Sequence, residues 1–293
     1  MIPFVPFPTS KAVKISRPFF GLANKFLVLF PYIDTKLLQA GLPFRGREYM
    51  SIALLSSLFW LILTGSLLAV VGLLIKNPPP NFVAISFLTS SAISLLSFFY
   101  IISYPNTIVI KKTKDIDKNL LFALRHLMIQ VKSGVLLFDA FISISRGNYG
   151  LVSTEFGNAT KKITTGKAQS IALEEITYNN PSLYFRRTMW QLSTALKSGA
   201  DLGNTLEVLV QSLANEQRIA IRKYGAQLSP LALMYMMFAA IMPTLGITFL
   251  IVFSSISGFT VSDSIFYIIL AILGVFQFAF SGLIKNSRPV VEL

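Results

Sequence analysis

Four long stretches of the chain carry no charged residue: 50–75, 77–110, 228–262 and 264–284. A helix crosses a bilayer with about 20 apolar residues, so each stretch is long enough to span. The predicted spans are 50–75, 82–104, 229–254 and 264–284. Lys76–Phe82 reads KNPPPNF, a proline-rich turn that cannot continue a helix. Ser254–Asp263 is short and polar, which suits a tight external loop.

Between the second and third spans the pattern changes from unbroken apolar to helical-periodic. Leu120, Leu124, Leu127, Met128 and Val131 form one helical stripe. Gly134 then stops the helix, with Lys132 in its last turn where a cation suits the helix dipole. Further helices are predicted over 136–146, 151–166, 168–180 and 182–199, and a sixth from Ala200 toward the third span. Gly166 and Gly199 are read as the same kind of stop as Gly134, and Asp201 as an acidic cap for the sixth helix. Lys-Ser-Gly occurs at 132–134 and again at 197–199. Superposing the two glycines pairs Leu127 with Leu192, Val131 with Leu196 and Leu137 with Leu202, so the segment reads as two three-helix halves.

The expected fold class is therefore all-α: a polytopic membrane protein with four transmembrane helices and one cytoplasmic six-helix antiparallel bundle inserted between spans 2 and 3. The expected division is a basic N-terminal segment (1–48), spans 1 and 2 (49–104), the bundle (105–228), spans 3 and 4 (229–284) and a short tail (285–293).

Composition agrees with that class. Hydrophobic residues make up 53% of the 293 and charged residues 13%, where soluble domains carry about 25% charged. Charge also sets an orientation. Residues 1–48 hold seven Lys/Arg against two acids, and residues 105–227 hold sixteen against nine, while the two short loops hold only Lys76 and Asp263. The positive-inside rule places both termini and the long middle segment in the cytoplasm, in the cytoplasmic or inner membrane. No cleavable signal is expected at the start, where three prolines fall within eight residues. Residues 19–33 are apolar but too short to span. With Lys11, Lys14, Arg17 and Lys25 nearby they read either as an interfacial segment on anionic lipid or as a loosely ordered arm. Arg218, Arg222 and Lys223 lie just before the third span, where they can meet lipid headgroups.

Catalytic chemistry is sparse. Cysteine is absent and His126 is the only histidine, so thiolate and paired-imidazole sites are excluded. Glu174 and Glu175 are neighbours on a helix and point different ways. Asp139, Glu155, Asp201 and Glu207 are spread through the bundle without EF-hand-like spacing. No phosphate-binding loop is present, and TTGKAQS at 164–170 lacks the upstream glycine and strand. No enzyme activity, cofactor or nucleic-acid partner is expected. The spans contain no ionisable residue, which argues against an ion-coupled transporter and less strongly against a channel for uncharged substrates. They carry small-residue stripes, Gly65, Ala69 and Gly72 on the first and Ser86, Ser90, Ser94 and Ser97 on the second, which permit close helix approach. Pro230, Pro243 and four methionines make the third span bendable.

The segments LRHLMIQVKSGVLLFDAF, ITTGKAQSIALEEI and FRRTMWQLSTALKSGADLGNTLEVL, followed by a basic helix entering paired spans, resemble the F domain of type II secretion and type IV pilus inner-membrane platform proteins. With one such domain and spans on both sides, the chain looks most like Tad-type and archaeal pilus or archaellum platforms. The resemblance extends over about 35–284. It implies a non-enzymatic hub on which a hexameric secretion-type ATPase docks and through which pilin or pseudopilin subunits are moved. Some relatives carry tandem domains. The single domain here implies a homodimer or a paralogous second platform subunit. Lys161, Lys162, Lys167, Arg186 and Arg187 flank helix ends of the bundle and are the candidate ATPase-docking cations. The rival reading is a small-molecule membrane transporter or channel.

Overall fold

The stretch expected to hold a span and then a separate bundle helix is one helix. In the computed structural model Phe82–Lys132 runs unbroken for 51 residues, about 75 Å at 1.5 Å per residue, with Pro105 inside it. A mid-helix proline has no N–H to donate to the carbonyl four residues back. That carbonyl belongs to Ile101, and it instead accepts a hydrogen bond from the Tyr49 hydroxyl at 2.6 Å. The partner that keeps the helix intact thus comes from a different span.

The structure describes residues 3–6, 15–75, 79, 81–257 and 263–286, with no strand among them. Lys11, Lys14, Lys76 with most of the proline turn, 258–262 of the loop between the last spans, and tail residues 287–293 lie outside the described residues. The chain divides into two compact units, residues 1–203 and 204–293.

In the first unit, α1 (Phe20–Leu27) and α2 (Ile33–Ala40) precede α3 (Gly46–Leu74) and α4 (Phe82–Lys132). Ala23, Ile33 and Leu37 join Tyr49, Met50, Ala53, Phe98 and Ile101 in one buried cluster. Residues 20–40 are therefore packed against the two spans and do not form a loose arm. Asp34 of α2 accepts the Gly46 N–H at 2.6 Å, satisfying a donor at the start of α3 that the helix itself leaves open. The small-residue stripes face each other. Ser90, Ser94 and Ser97 are buried, the Ser94 hydroxyl donates to the Ser57 carbonyl at 2.8 Å, and Gly65 lies against Ser90. They hold these two spans together.

Beyond the apolar spans, the distal half of α4 packs with α5 (Leu137–Arg146), α6 (Leu151–Thr164) and α8 (Leu183–Ser198), and α7 (Gln169–Tyr178) packs against α6 and α8. Leu120, Leu124, Leu127, Phe141, Phe156, Phe185 and Leu192 are buried. Phe156 links the helices through ring contacts of 5.2 Å to Phe141 and 6.3 Å to Phe185. The glycine stops have one geometry. At Gly134, φ is +86°, and Val135 N–H donates to Gln130 at 3.0 Å. At Gly199, φ is +67°, and Ala200 N–H donates to Ala195 at 3.0 Å. Both are helix ends closed by a left-handed residue, a conformation that penalises a Cβ. Gly166 closes α6 the same way, with Lys167 N–H on Lys162.

The sixth helix expected in the bundle is the start of α9 (Leu202–Met236), nearly all of which falls in the second unit. The Asp201 carboxylate accepts the Gly203 N–H at 2.9 Å, an N-cap contact. Arg218, Arg222 and Lys223 are exposed along α9. Where α9 meets Pro243 the helix widens to a π turn at Met237–Ile241 before α10 (Met242–Ser257), a local accommodation of the kind that accompanies helix-breaking residues. α11 (Asp263–Asn286) packs back through Tyr235–Phe280 and Phe238–Phe276 ring contacts of 5.1 and 6.1 Å. Among the described residues four helices are long and apolar enough to cross a membrane.

Candidate functional site

The candidate docking cations do not form one cluster: Lys161 and Lys162 lie in the last turn of α6 and Lys167 just before α7, whereas Arg186 and Arg187 lie near the start of α8. The acids beside the lysines decide how much of their charge is free. α6 ends in Lys161 and Lys162, the chain turns at Gly166, and Lys167 precedes α7. Glu175 on α7 receives both neighbours, Lys162 at 2.6 Å on one oxygen and Lys167 at 2.5 Å on the other. Those hydrogen bonds hold its carboxyl down to about 2. Glu174 points to α8 instead, accepting from Lys197 at 2.6 Å and from the Ser193 hydroxyl at 3.1 Å, and these lower it as well. The adjacent acids thus tie α7 to two different neighbours.

The five cations are accordingly unequal. Lys162 and Lys167 share the single negative charge of Glu175. Arg187 lies over the Tyr184 ring at 6.0 Å, and Arg186 is half-buried beside it on α8. Lys161 is exposed and borders a polar cavity of about 520 Å³ shared with Lys112 and Glu155. Burial pushes the Glu155 carboxyl up, opposed in part by Lys112 and by a hydrogen bond with Asn158.

Two carboxylates read from the sequence only as charge have positional roles. Asp115 on α4 accepts the Leu151 N–H at 2.6 Å, capping α6 from another helix. Gly150 makes this possible: its φ is +56°, and a Cβ there would come within 2.5 Å of Asp115. Asp117 accepts the Ser182 hydroxyl, whose oxygen in turn accepts Phe185 N–H at 3.0 Å to cap α8. The long helix α4 thus fastens the starts of both α6 and α8. The only local signal was Ser182 before a helical run. His126 is held between Tyr149 Oη at 2.8 Å and Gln130 Nε2 at 2.9 Å. Among the described residues no three His, Asp or Glu side chains gather to hold a metal ion.

A bundle built on glycine-stopped helices and fused to apolar spans is the arrangement that the family comparison addresses. Residues 123–250 match the family described as type II secretion system (T2SS), protein F. This stretch is similar to a T2SS F domain. It begins inside α4 and ends inside α10, so it takes in the bundle helices and the third apolar span. No curated protein and no solved structure matches the chain. The F-domain match, together with the four apolar helices among the described residues, supports a multi-pass membrane protein similar to the platform proteins of secretion- and pilus-type systems.

Proposed function

We propose that the chain is the platform of a type IV pilus-like or type II secretion-like filament machine, coupling a cytoplasmic hexameric ATPase to the insertion or extraction of pilin or pseudopilin subunits. The observation that carries this reading is the continuity of α4. One helix of 51 residues begins in an apolar span and ends in the F-domain bundle. It is kept whole at Pro105 by Tyr49 and fastened to α6 and α8 through Asp115 and Asp117. Displacement of the bundle would be carried along a rigid element into the span. The chain has no phosphate-binding loop of its own, so the reading assigns ATP hydrolysis to a separate protein.

In this reading the basic segments and both termini face the cytoplasm, Arg218, Arg222 and Lys223 rest at lipid headgroups, and a second copy or a similar subunit completes the platform. Affinity-tagged chain, extracted in mild detergent from native membranes, should copurify a P-loop secretion-type ATPase and proteins with pilin-like N-terminal helices. Recovery of folded, membrane-inserted chain with neither would overturn the proposal.

A further inference from the structure

A polar cavity opens between α2, α4, α6 and the α7–α8 connection, entirely within the first unit. Its volume of about 520 Å³ lies within the about 300–1,000 Å³ usual for small-molecule sites. Lys112, Lys161 and Lys162 contribute cations to it, and Glu155 and Glu175 contribute acids.

One lining group is unexplained by the fold. Asn180 is 2% exposed, and its Oδ1 accepts the Ser182 N–H at 3.0 Å, which fixes the orientation of the amide. Its Nδ2 has no hydrogen-bond partner. An unmet buried donor costs about 1–3 kcal/mol, and Asn180 belongs to the lining of the cavity, the nearest open space from which an acceptor could reach it. The cations give that acceptor a sign. Lys162 is committed to Glu175, while Lys161 has no ion-pair partner among the described residues. Lys112 faces Glu155, whose ionisation burial discourages. The site thus presents an orphan amide donor and two incompletely neutralised ammonium groups.

Its level along the chain matters as well. Lys112 lies thirty residues after the start of α4 at Phe82, about 45 Å along the helix. That is close to the full thickness of a bilayer with its headgroups, about 40–45 Å. Leu38, which borders the cavity, is an apolar side chain 61% exposed.

We propose that this cavity binds one phosphate-bearing anion, held by Lys112, Lys161 and Asn180, either the headgroup of an anionic phospholipid or a soluble phosphate compound. The proposal goes beyond the platform reading and does not depend on it.

Two probes separate the sources. The full chain is reconstituted in nanodiscs of phosphatidylcholine with or without phosphatidic acid, and lipid retained after gentle extraction is counted by native mass spectrometry. Separately, inorganic pyrophosphate is titrated into lipid-free chain in detergent while thermal unfolding is followed. Asn180→Asp keeps the acceptor for Ser182 but replaces the orphan donor with an anion-repelling oxygen. Lys161→Gln alters only an exposed side chain, so it decides the matter should the first variant fold poorly. One phosphatidic acid retained per chain without a pyrophosphate response identifies the headgroup, and a saturable stabilisation by pyrophosphate identifies a soluble ligand. In either case each folded variant should bind at least about tenfold more weakly, the effect of losing one charge-assisted hydrogen bond. Binding of neither probe, or binding unchanged in both folded variants, overturns the proposal.

Discussion

The Tyr49 hydroxyl donates to the Ile101 carbonyl at 2.6 Å, and Tyr49 is fully buried where it does so. The bond replaces the backbone donor that Pro105 lacks. Tyr49→Phe should leave that carbonyl without a partner and lower stability by about 1–3 kcal/mol. Pro105→Ala restores an N–H to the helix, so Tyr49→Phe should cost less in that background. Thermal unfolding of the four proteins in detergent measures the coupling. Equal costs in both backgrounds would show that the hydroxyl does not compensate for the proline.

This pair also shows what the sequence could and could not reveal. The four spans and the glycine stops were legible because their causes are local: uncharged runs of sufficient length, and left-handed positions that glycine alone adopts cheaply. Continuity of α4 was not legible, because Pro105 reads as a break and its compensating donor lies over fifty residues upstream on another span. The docking cations had the same difficulty. Lys162, Lys167 and Glu175 are each visible as charge, but only the α6–α7 turn at Gly166 places both lysines on one carboxylate. Asp115 and Asp117 drew no reading of their own from the sequence, because their roles exist only once α6 and α8 begin beside them.

Cross-helix capping by Asp115 gives a second prediction. Asp115→Ala removes the acceptor for Leu151 N–H and should destabilise the bundle by about 0.5–2 kcal/mol, the range for lost caps. Gly150→Ala should cost more, because its Cβ would both strain a positive φ and press on the same carboxylate. Hydrogen exchange should show the increase concentrated in the first turn of α6. A uniform change along the bundle would contradict a local cap.

Acid should loosen the α6–α7 turn. Glu175 is held at about 2, below its ordinary 4.5, so its contribution is present above pH 4.5 and is lost as pH falls toward 2. Glu175→Gln should therefore lose less stability than the parent across that window. Glu155 runs the other way. Its carboxyl is raised by burial, so its ionisation opposes folding as pH climbs past its ordinary value, and Glu155→Gln should be neutral or stabilising at neutral pH. Unfolding midpoints measured against pH for the three proteins test both signs.

The two glycine stops should behave alike if the Lys-Ser-Gly repeat is structural. Gly134→Ala and Gly199→Ala each place a Cβ at positive φ with nothing within 4 Å to clash, so the cost is conformational, about 1 kcal/mol each. Their effects on the unfolding midpoint should be similar in size. A loss several times larger at one site would mean that its turn carries a further contact.

Charge reversal at the candidate docking face should split by residue. Lys162 and Lys167 are bound to Glu175, so changing both to Glu puts three acids together and should lower bundle stability as well as any binding. Lys161 and Arg186 carry no contact to that carboxylate among the described hydrogen bonds and ion pairs. Reversing Lys161 to Glu should leave stability within about 0.5 kcal/mol, whereas half-buried Arg186, and Arg187 over Tyr184, should cost more. Reversing Lys161, Arg186 and Arg187 together should abolish recruitment of the ATPase to membranes that contain the chain. Sedimentation of ATPase with such membranes, beside thermal unfolding of the same variants, separates the two effects. Undiminished recruitment by the Lys161, Arg186 and Arg187 reversal would move the docking surface elsewhere on the bundle.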